Sequence, residues 1–280
     1  MGSFVLILSA CGDESAPDTT SGTGEQTYTA TATVLESPDH GPQLCLGGVN
    51  ESLPPQCGGP DITNWDWSDL ESESASGTMW GTYTVVGTYD GTAFTLTEPA
   101  QPPSSIPNTE PPSNLGTPCE EPDGGWAVTN EATATEEGMN AAITYANEQS
   151  EFAGVWLDQS INEELADASD DEIEDIANDP TRLVLNVAFT SNLEQHEAKL
   201  REFWGGALCV VQADHTELQL RAIQQELHEE YDGLLSSGVD TPAGRVQVSV
   251  ILDDGSLQAE LDDRYGEGVI VVTSALQPVE

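Results

Sequence analysis

The chain has 280 residues, of which 50 are Asp or Glu and six are Lys or Arg, giving a formal net charge of -44 at pH 7. All six basic residues (Arg182, Lys199, Arg201, Arg221, Arg245, Arg264) follow position 181, and the preceding residues carry 33 carboxylates. A nucleic acid must be neutralised by basic side chains, so this charge excludes it as a partner, and an anionic bilayer surface is disfavoured for the same reason.

The first signal along the chain is Phe4-Val5-Leu6-Ile7-Leu8-Ser9-Ala10-Cys11. An apolar run that ends in small residues reads as the back half of a secretory signal. Leu8-Ser9-Ala10-Cys11 resembles the lipobox of bacterial lipoproteins. The resemblance implies that Cys11 is acylated with diacylglycerol and becomes the mature N-terminus, which would hold the protein on the extracytoplasmic face of the cell membrane. The run has no basic n-region and only about eight apolar residues, as a start codon placed too far downstream would leave it. Residues 12–26 contain no large apolar side chain, so they are expected to form a disordered tether. Residues 1–26 are thus signal remnant and tether.

Residues 27–98 carry strand signals alone. Tyr28 to Leu35 is rich in Thr, and Gly81 to Tyr89 alternates before an Asp90-Gly91 turn, after which Ala93 to Thr97 returns. An Asp-Gly pair between alternating runs is a strong hairpin signal. The expected fold is a small all-β barrel or sandwich, the OB type among its forms. Trp65, Asp66 and Trp67, with Trp80 and Tyr83 nearby, concentrate aromatic rings beside carboxylates and form the candidate ligand surface, for a sugar or a cation. The competing reading is that these rings are the core of a module short of Leu and Ile.

Beyond Cys11, four cysteines remain, an even number that suits two disulfides in an oxidising compartment. Cys45 and Cys57 flank one turn-rich loop, whereas Cys119 and Cys209 lie in a later segment, so the expected pairs are Cys45 with Cys57 and Cys119 with Cys209. No C-x-x-C spacing is present and no histidine sits at ligand distance from a pair, so no metal site is expected. Residues 99–118 hold seven prolines and read as a semi-rigid linker.

Residues 119–280 mix helix and strand signals. Helices are predicted over Glu136 to Gln149 behind Thr135 as N-cap, Asn192 to Trp204 behind a capping box of Ser191 and Glu194, and Thr216 to Tyr231, with a short one around Leu257, Leu261 and Tyr265. Strands are predicted over Phe152 to Gln159, Arg182 to Thr190, Gly206 to Ala213, Val246 to Leu252 and Val269 to Leu276. The first two flank an acidic insertion. This order predicts an α+β protein whose second module is a two-layer α/β sandwich around a mixed sheet. The stretches Phe152 to Asp158 and Arg182 to Thr190, with the helix carrying His196-Glu197 and the strand leading to Thr216-Glu217-Leu218, resemble the αββαβ pattern of the prodomains of α-lytic-type serine proteases. That resemblance implies a surface for binding protein. The lipobox-plus-acidic-module layout also resembles secreted lipoproteins of high-GC Gram-positive bacteria, which implies no particular activity.

Catalytic motifs are lacking: there is no G-x-S-x-G, P-loop, G-x-G-x-x-G or H-E-x-x-H. His40, His196, His215 and His228 are scattered and read as solvated surface. The run Asp170 to Asp175 lacks the central Gly of a calcium loop and reads as a solvated acidic loop. No catalytic residue and no cofactor are assigned. The sequence therefore predicts a monomeric, lipid-anchored surface protein that acts by binding a protein or glycan partner. The alternative is a secreted hydrolase of cell-wall or extracellular glycans working through residues 65–69.

Overall fold

The computed structural model describes residues 26–103, 115–166, 168, 169, 173, 176, 177 and 179–279. Cys11, the tether up to residue 25, linker residues 104–114 and all of the acidic run 170–175 except Ile173 lie outside them.

Six strands build the first module: β1 (Thr27–Ser37), β2 (His40–Cys45), β3 (Asp61–Ile62), β4 (Glu73–Ala75), β5 (Thr78–Tyr89) and β6 (Ala93–Leu96). The hydrogen-bonded order β1-β2-β3-β6-β5 closes on itself, because β5 also pairs with β1 from Thr27↔Thr88 to Glu36↔Met79. The result is a five-strand ring in which β3 and β6 run parallel, and β4 is a short hairpin partner of β5. Alternation decides what goes inside. Ala30, Val34, Tyr83 and Val85 fill the core with Leu44, Ile62 and Phe94, while the intervening threonines face outward, with Thr31 and Thr84 hydroxyls 2.8 Å apart. The predicted turn after Tyr89 is held by Asp90, whose side chain accepts the N–H groups of Thr92 and Ala93, both at 2.8 Å.

The second region contains α1 (Glu136–Asn147), β7 (Phe152–Asp158), β8 (Val184–Phe189), α2 (Leu193–Phe203) and β9 (Ala207–Gln212), then α3 (Glu217–Glu230), β10 (Leu234–Asp240), β11 (Arg245–Val250), α4 (Ser256–Tyr265) and β12 (Ile270–Ser274). The α+β class is as expected, but the strands divide into two three-stranded sheets, β7-β8-β9 and β10-β11-β12. In each sheet the first pair is antiparallel and the second parallel. The αββαβ unit thus occurs twice in tandem. The second copy was hidden because β10 was not anticipated: its sequence Leu-Leu-Ser-Ser-Gly-Val-Asp does not alternate, and a register irregularity falls between Leu234 and Ser236.

Helices cover one face of each sheet. Leu185, Val187 and Phe189 pack on Ala142, Ala146, Leu200 and Trp204, and Val246, Val248 and Ile270 pack on Leu220, Leu227 and Leu261. Thr135 caps α1 as expected, accepting from Gly138 N at 3.1 Å. The capping box assigned to Ser191 and Glu194 does not form: Asn192 is the N-cap of α2, in a left-handed conformation with no side-chain cap bond. The capping box occurs instead on α3, between Thr216 and Gln219. The strand expected to start at Arg182 starts at Val184, because Pro180–Arg182 forms a 3-10 turn capped by Asp179.

Both expected disulfides are present, with Cα separations of 5.7 Å for Cys45–Cys57 and 5.9 Å for Cys119–Cys209. The second ties the segment bearing Cys119 and Trp126 over the helix-free face of the first sheet, against Val184, Ala207 and Cys209. A buried acid ends the first strand of each unit. Asp158 accepts the N–H groups of Thr117 (2.6 Å) and Ser160 (2.8 Å), and Asp240 accepts from Gln247 (2.8 Å) and Arg245 (3.3 Å). Outer sheet edges are plugged by glutamines. Gln258 of α4 donates to Ile270 O and accepts from Val272 N, and Gln224 of α3 donates to Ser237 O.

The end of the second region returns to the first. After β12 the short β13 (Gln277–Pro278) pairs with β1 (Tyr28↔Pro278, Thr29↔Gln277), and Leu276 is fully buried in the barrel core. The Pro-rich stretch also begins attached to the barrel, where Gln101 and Thr84 exchange two backbone hydrogen bonds of 2.9 Å.

Candidate functional site

Strand β3 ends at a loop pinned by Asn64, whose side chain donates to Leu96 O and accepts from Leu96 N, both at 2.9 Å. An amide used in this way takes the place of a paired residue, so residues 65–70 are held against β6. Trp65 and Trp67 then meet Tyr83 of β5. Ring centroids are 5.3 Å apart for Trp65–Trp67, 5.2 Å for Trp65–Tyr83 and 6.2 Å for Trp67–Tyr83, in edge and tilted geometries that aromatic quadrupoles favour. The polar handles are mostly engaged. The Tyr83 hydroxyl donates to Glu71 O at 2.6 Å and Trp67 Nε1 donates to the Glu36 carboxylate, whereas Trp65 Nε1 is buried without a partner among the described residues. Burial, followed by the charge of Glu71, pushes the Tyr83 phenol up.

Trp80 does not join this cluster. It lies three positions before Tyr83 on the same strand, hence on the opposite face, where its cross-strand neighbours are Leu35 and Glu73. The candidate ligand surface is therefore Trp65, Asp66 and Trp67, with Tyr83 behind them in the barrel core. Both tryptophans are partly buried against the barrel core, so the core reading and the ligand reading each describe part of these rings.

A cavity of about 490 Å³ opens beside Trp65, lined by Asp66, Asp69, Leu70, Leu96, Glu98 and Ala100 among others. No lysine or arginine is among the described residues that line it. The Ser68 backbone N–H donates to Asp66 Oδ1 at 2.9 Å, and with the Ser68 hydroxyl it holds this carboxyl below the ordinary carboxylate range. A half-buried indole beside an ionised carboxylate and two further acids attracts a cation by charge and by the ring quadrupole.

The histidines divide by environment. His196, expected at the surface, is buried in the core between α1 and α2, 4% exposed. Its ring stacks on Phe189 at 4.0 Å, its Nδ1 is 3.0 Å from the Tyr145 hydroxyl, and its Nε2 has no partner among the described residues. The missed signal was its i,i+4 spacing to Leu200, which puts both on the buried face. His228 is exposed and its Nε2 lies 2.8 Å from Ser237 Oγ, which also accepts from Gln224 at 3.0 Å. No carboxylate among the described residues hydrogen-bonds this imidazole, as a base oriented for nucleophilic catalysis would require. The His40 Nδ1 lies 2.7 Å from its neighbouring carbonyl, Gly41 O.

No protein-family model matches the chain, and no curated protein matches it. Among the described residues no group of three or more His, Cys, Asp or Glu converges to hold a metal ion, and no helix is long and apolar enough to cross a membrane.

Proposed function

We propose that this is an exported, lipid-anchored surface protein that acts by binding, and that the cavity beside Trp65 takes a cationic group. The observation that carries the ligand reading is the half-buried Trp65 ring beside Asp66, Asp69 and Glu98 in a module without a single Lys or Arg. Nothing inside that module neutralises these acids, so an arriving cation gains their attraction without first displacing an internal partner. Anchoring rests on Leu8-Ser9-Ala10-Cys11, and two acyl chains give stable attachment where one gives marginal binding.

Two measurements test the proposal. Mass spectrometry of the mature protein from its own host is expected to find a diacylglyceryl group on Cys11, and a free Cys11 thiol would overturn the anchor. Titration of the full chain with argininamide is expected to change tryptophan fluorescence and saturate. Asp66→Asn combined with Glu98→Gln should weaken binding by about tenfold or more. An unchanged affinity in that double variant would refute the cation site.

A further inference from the structure

The two αββαβ units meet along a cleft of about 320 Å³ that does not involve the barrel. Its floor is the helix-free face of the first sheet, with Trp156 from β7, Ala188 from β8 and Val211 from β9. Its far wall is the 241–244 turn between β10 and β11, with the turn at 267–269 beside it. The wall is fixed by a close approach. A Cβ at Gly154 would stand 2.2 Å from Thr241 Cγ2, so the hairpin tip of the second unit seats closely on β7 at a position without a side chain.

The floor is apolar and the rim is acidic. Trp156 is 7% exposed, whereas Asp214 and Glu267 stand exposed at the rim with His215. None of these three rim residues hydrogen-bonds or ion-pairs with a described residue. Elsewhere in this region acids near a sheet end are fully used, as Asp158 and Asp240 are.

We propose that this seam is a second ligand site, selective for an ammonium group carried on a short aliphatic stem. The stem lies along Trp156, Ala188 and Val211, and the ammonium, with three donors and no acceptor, meets the rim carboxylates. An anion is disfavoured because no lysine or arginine is among the described residues lining the cleft. The site shares no residue with the cavity beside Trp65, so either can fail alone.

The test is calorimetric titration of the full chain with cadaverine, with N-acetyl-lysine methylamide and with neutral 1-pentanol. Cadaverine is expected to bind saturably and 1-pentanol not to. Asp214→Asn combined with Glu267→Gln should weaken the affinity by about tenfold or more. With the cavity beside Trp65 disabled by Asp66→Asn and Glu98→Gln, cadaverine should still bind, and adding Ala243→Trp, which fills the cleft, should abolish that remaining binding. The two amines separate the sources of the charge: tighter binding of the lysine derivative identifies a peptide-borne side chain, tighter binding of cadaverine a free amine. Failure of both amines, equal binding of 1-pentanol, or equal weakening by the two acid-neutralising pairs would overturn the proposal. The rim pair is exposed, so it retains the test even if the tryptophan variant fails to fold.

Discussion

Leu276 lies some 180 positions after the last barrel strand, yet it is fully buried among Val34, Leu44 and Phe94. Replacing it by alanine removes a wholly enclosed isobutyl group. The lost transfer free energy is about 1.5 to 3 kcal/mol, and the cavity left behind raises the cost to about 2 to 5 kcal/mol. The loss falls on the barrel, since that is the core the side chain fills. Amide hydrogen exchange resolved by peptide measures it locally: at about 3 kcal/mol, protection over residues 27–37 drops by roughly a hundredfold. Leu227→Ala, which empties an equally buried position in the second αββαβ unit, is the control and should spare those amides. If β1 loses no more protection in Leu276→Ala than in Leu227→Ala, the last strand does not belong to the barrel's cooperative unit, and the reasoning fails.

Opening Cys119–Cys209 by Cys209→Ala releases a loop spanning 90 residues, and on the chain-entropy model this lowers stability by about 4 to 5 kcal/mol; denaturant unfolding of the first αββαβ unit reads it. Burial raises the Asp158 carboxyl, but its hydrogen bonds from Ser160 and Thr117 outweigh burial and hold it below its ordinary value. Its contribution is therefore present above the unfolded value of about 3.9 and is lost as pH falls through the lower folded value. Asp158→Asn should cost about 1 to 3 kcal/mol at pH 7, with the gap to the parent protein closing in acid titrations below about pH 4. Gln258→Leu strips the plug from β12, and light scattering at high protein concentration should then show self-association that the parent lacks.

Elements with a clean period were legible in the sequence. Gly81 to Tyr89, Val246 to Val250 and the Leu220, Ile223 and Leu227 stripe each declare a buried face within one segment, and each lies where its period puts it. The cysteine pairs were legible because the turn-rich loop and the later segment divide them. Three kinds of feature were not. β10 owes its pairing to a neighbour and not to its own pattern of Ser and Gly. β13 is two residues long, and its partner is β1, at the other end of the chain. Trp80 looked close to Trp65 and Trp67 because closeness in sequence says nothing about sides of a sheet, and three steps along a strand reverse the side. The cleft between the tandem units was out of reach for the same reason as β10: until the second unit is seen, there is no seam. His196 is the case where the signal existed, in its spacing to Leu200, and charge outweighed period in the reading.

The pairing of β13 with β1 brings Gln26 and Val279 side by side, with Val279 N donating to Thr27 O at 2.9 Å. Any pull transmitted along the residues before Gln26 enters the fold lengthwise through β1. That strand is gripped by β5 along nearly its whole length and by β2 and β13 on its other side, with hydrogen bonds lying across the line of pull. Such bonds share a load and yield together instead of opening singly from one end. A load entering there is met first by β1 and its partner strands, ahead of the two αββαβ units.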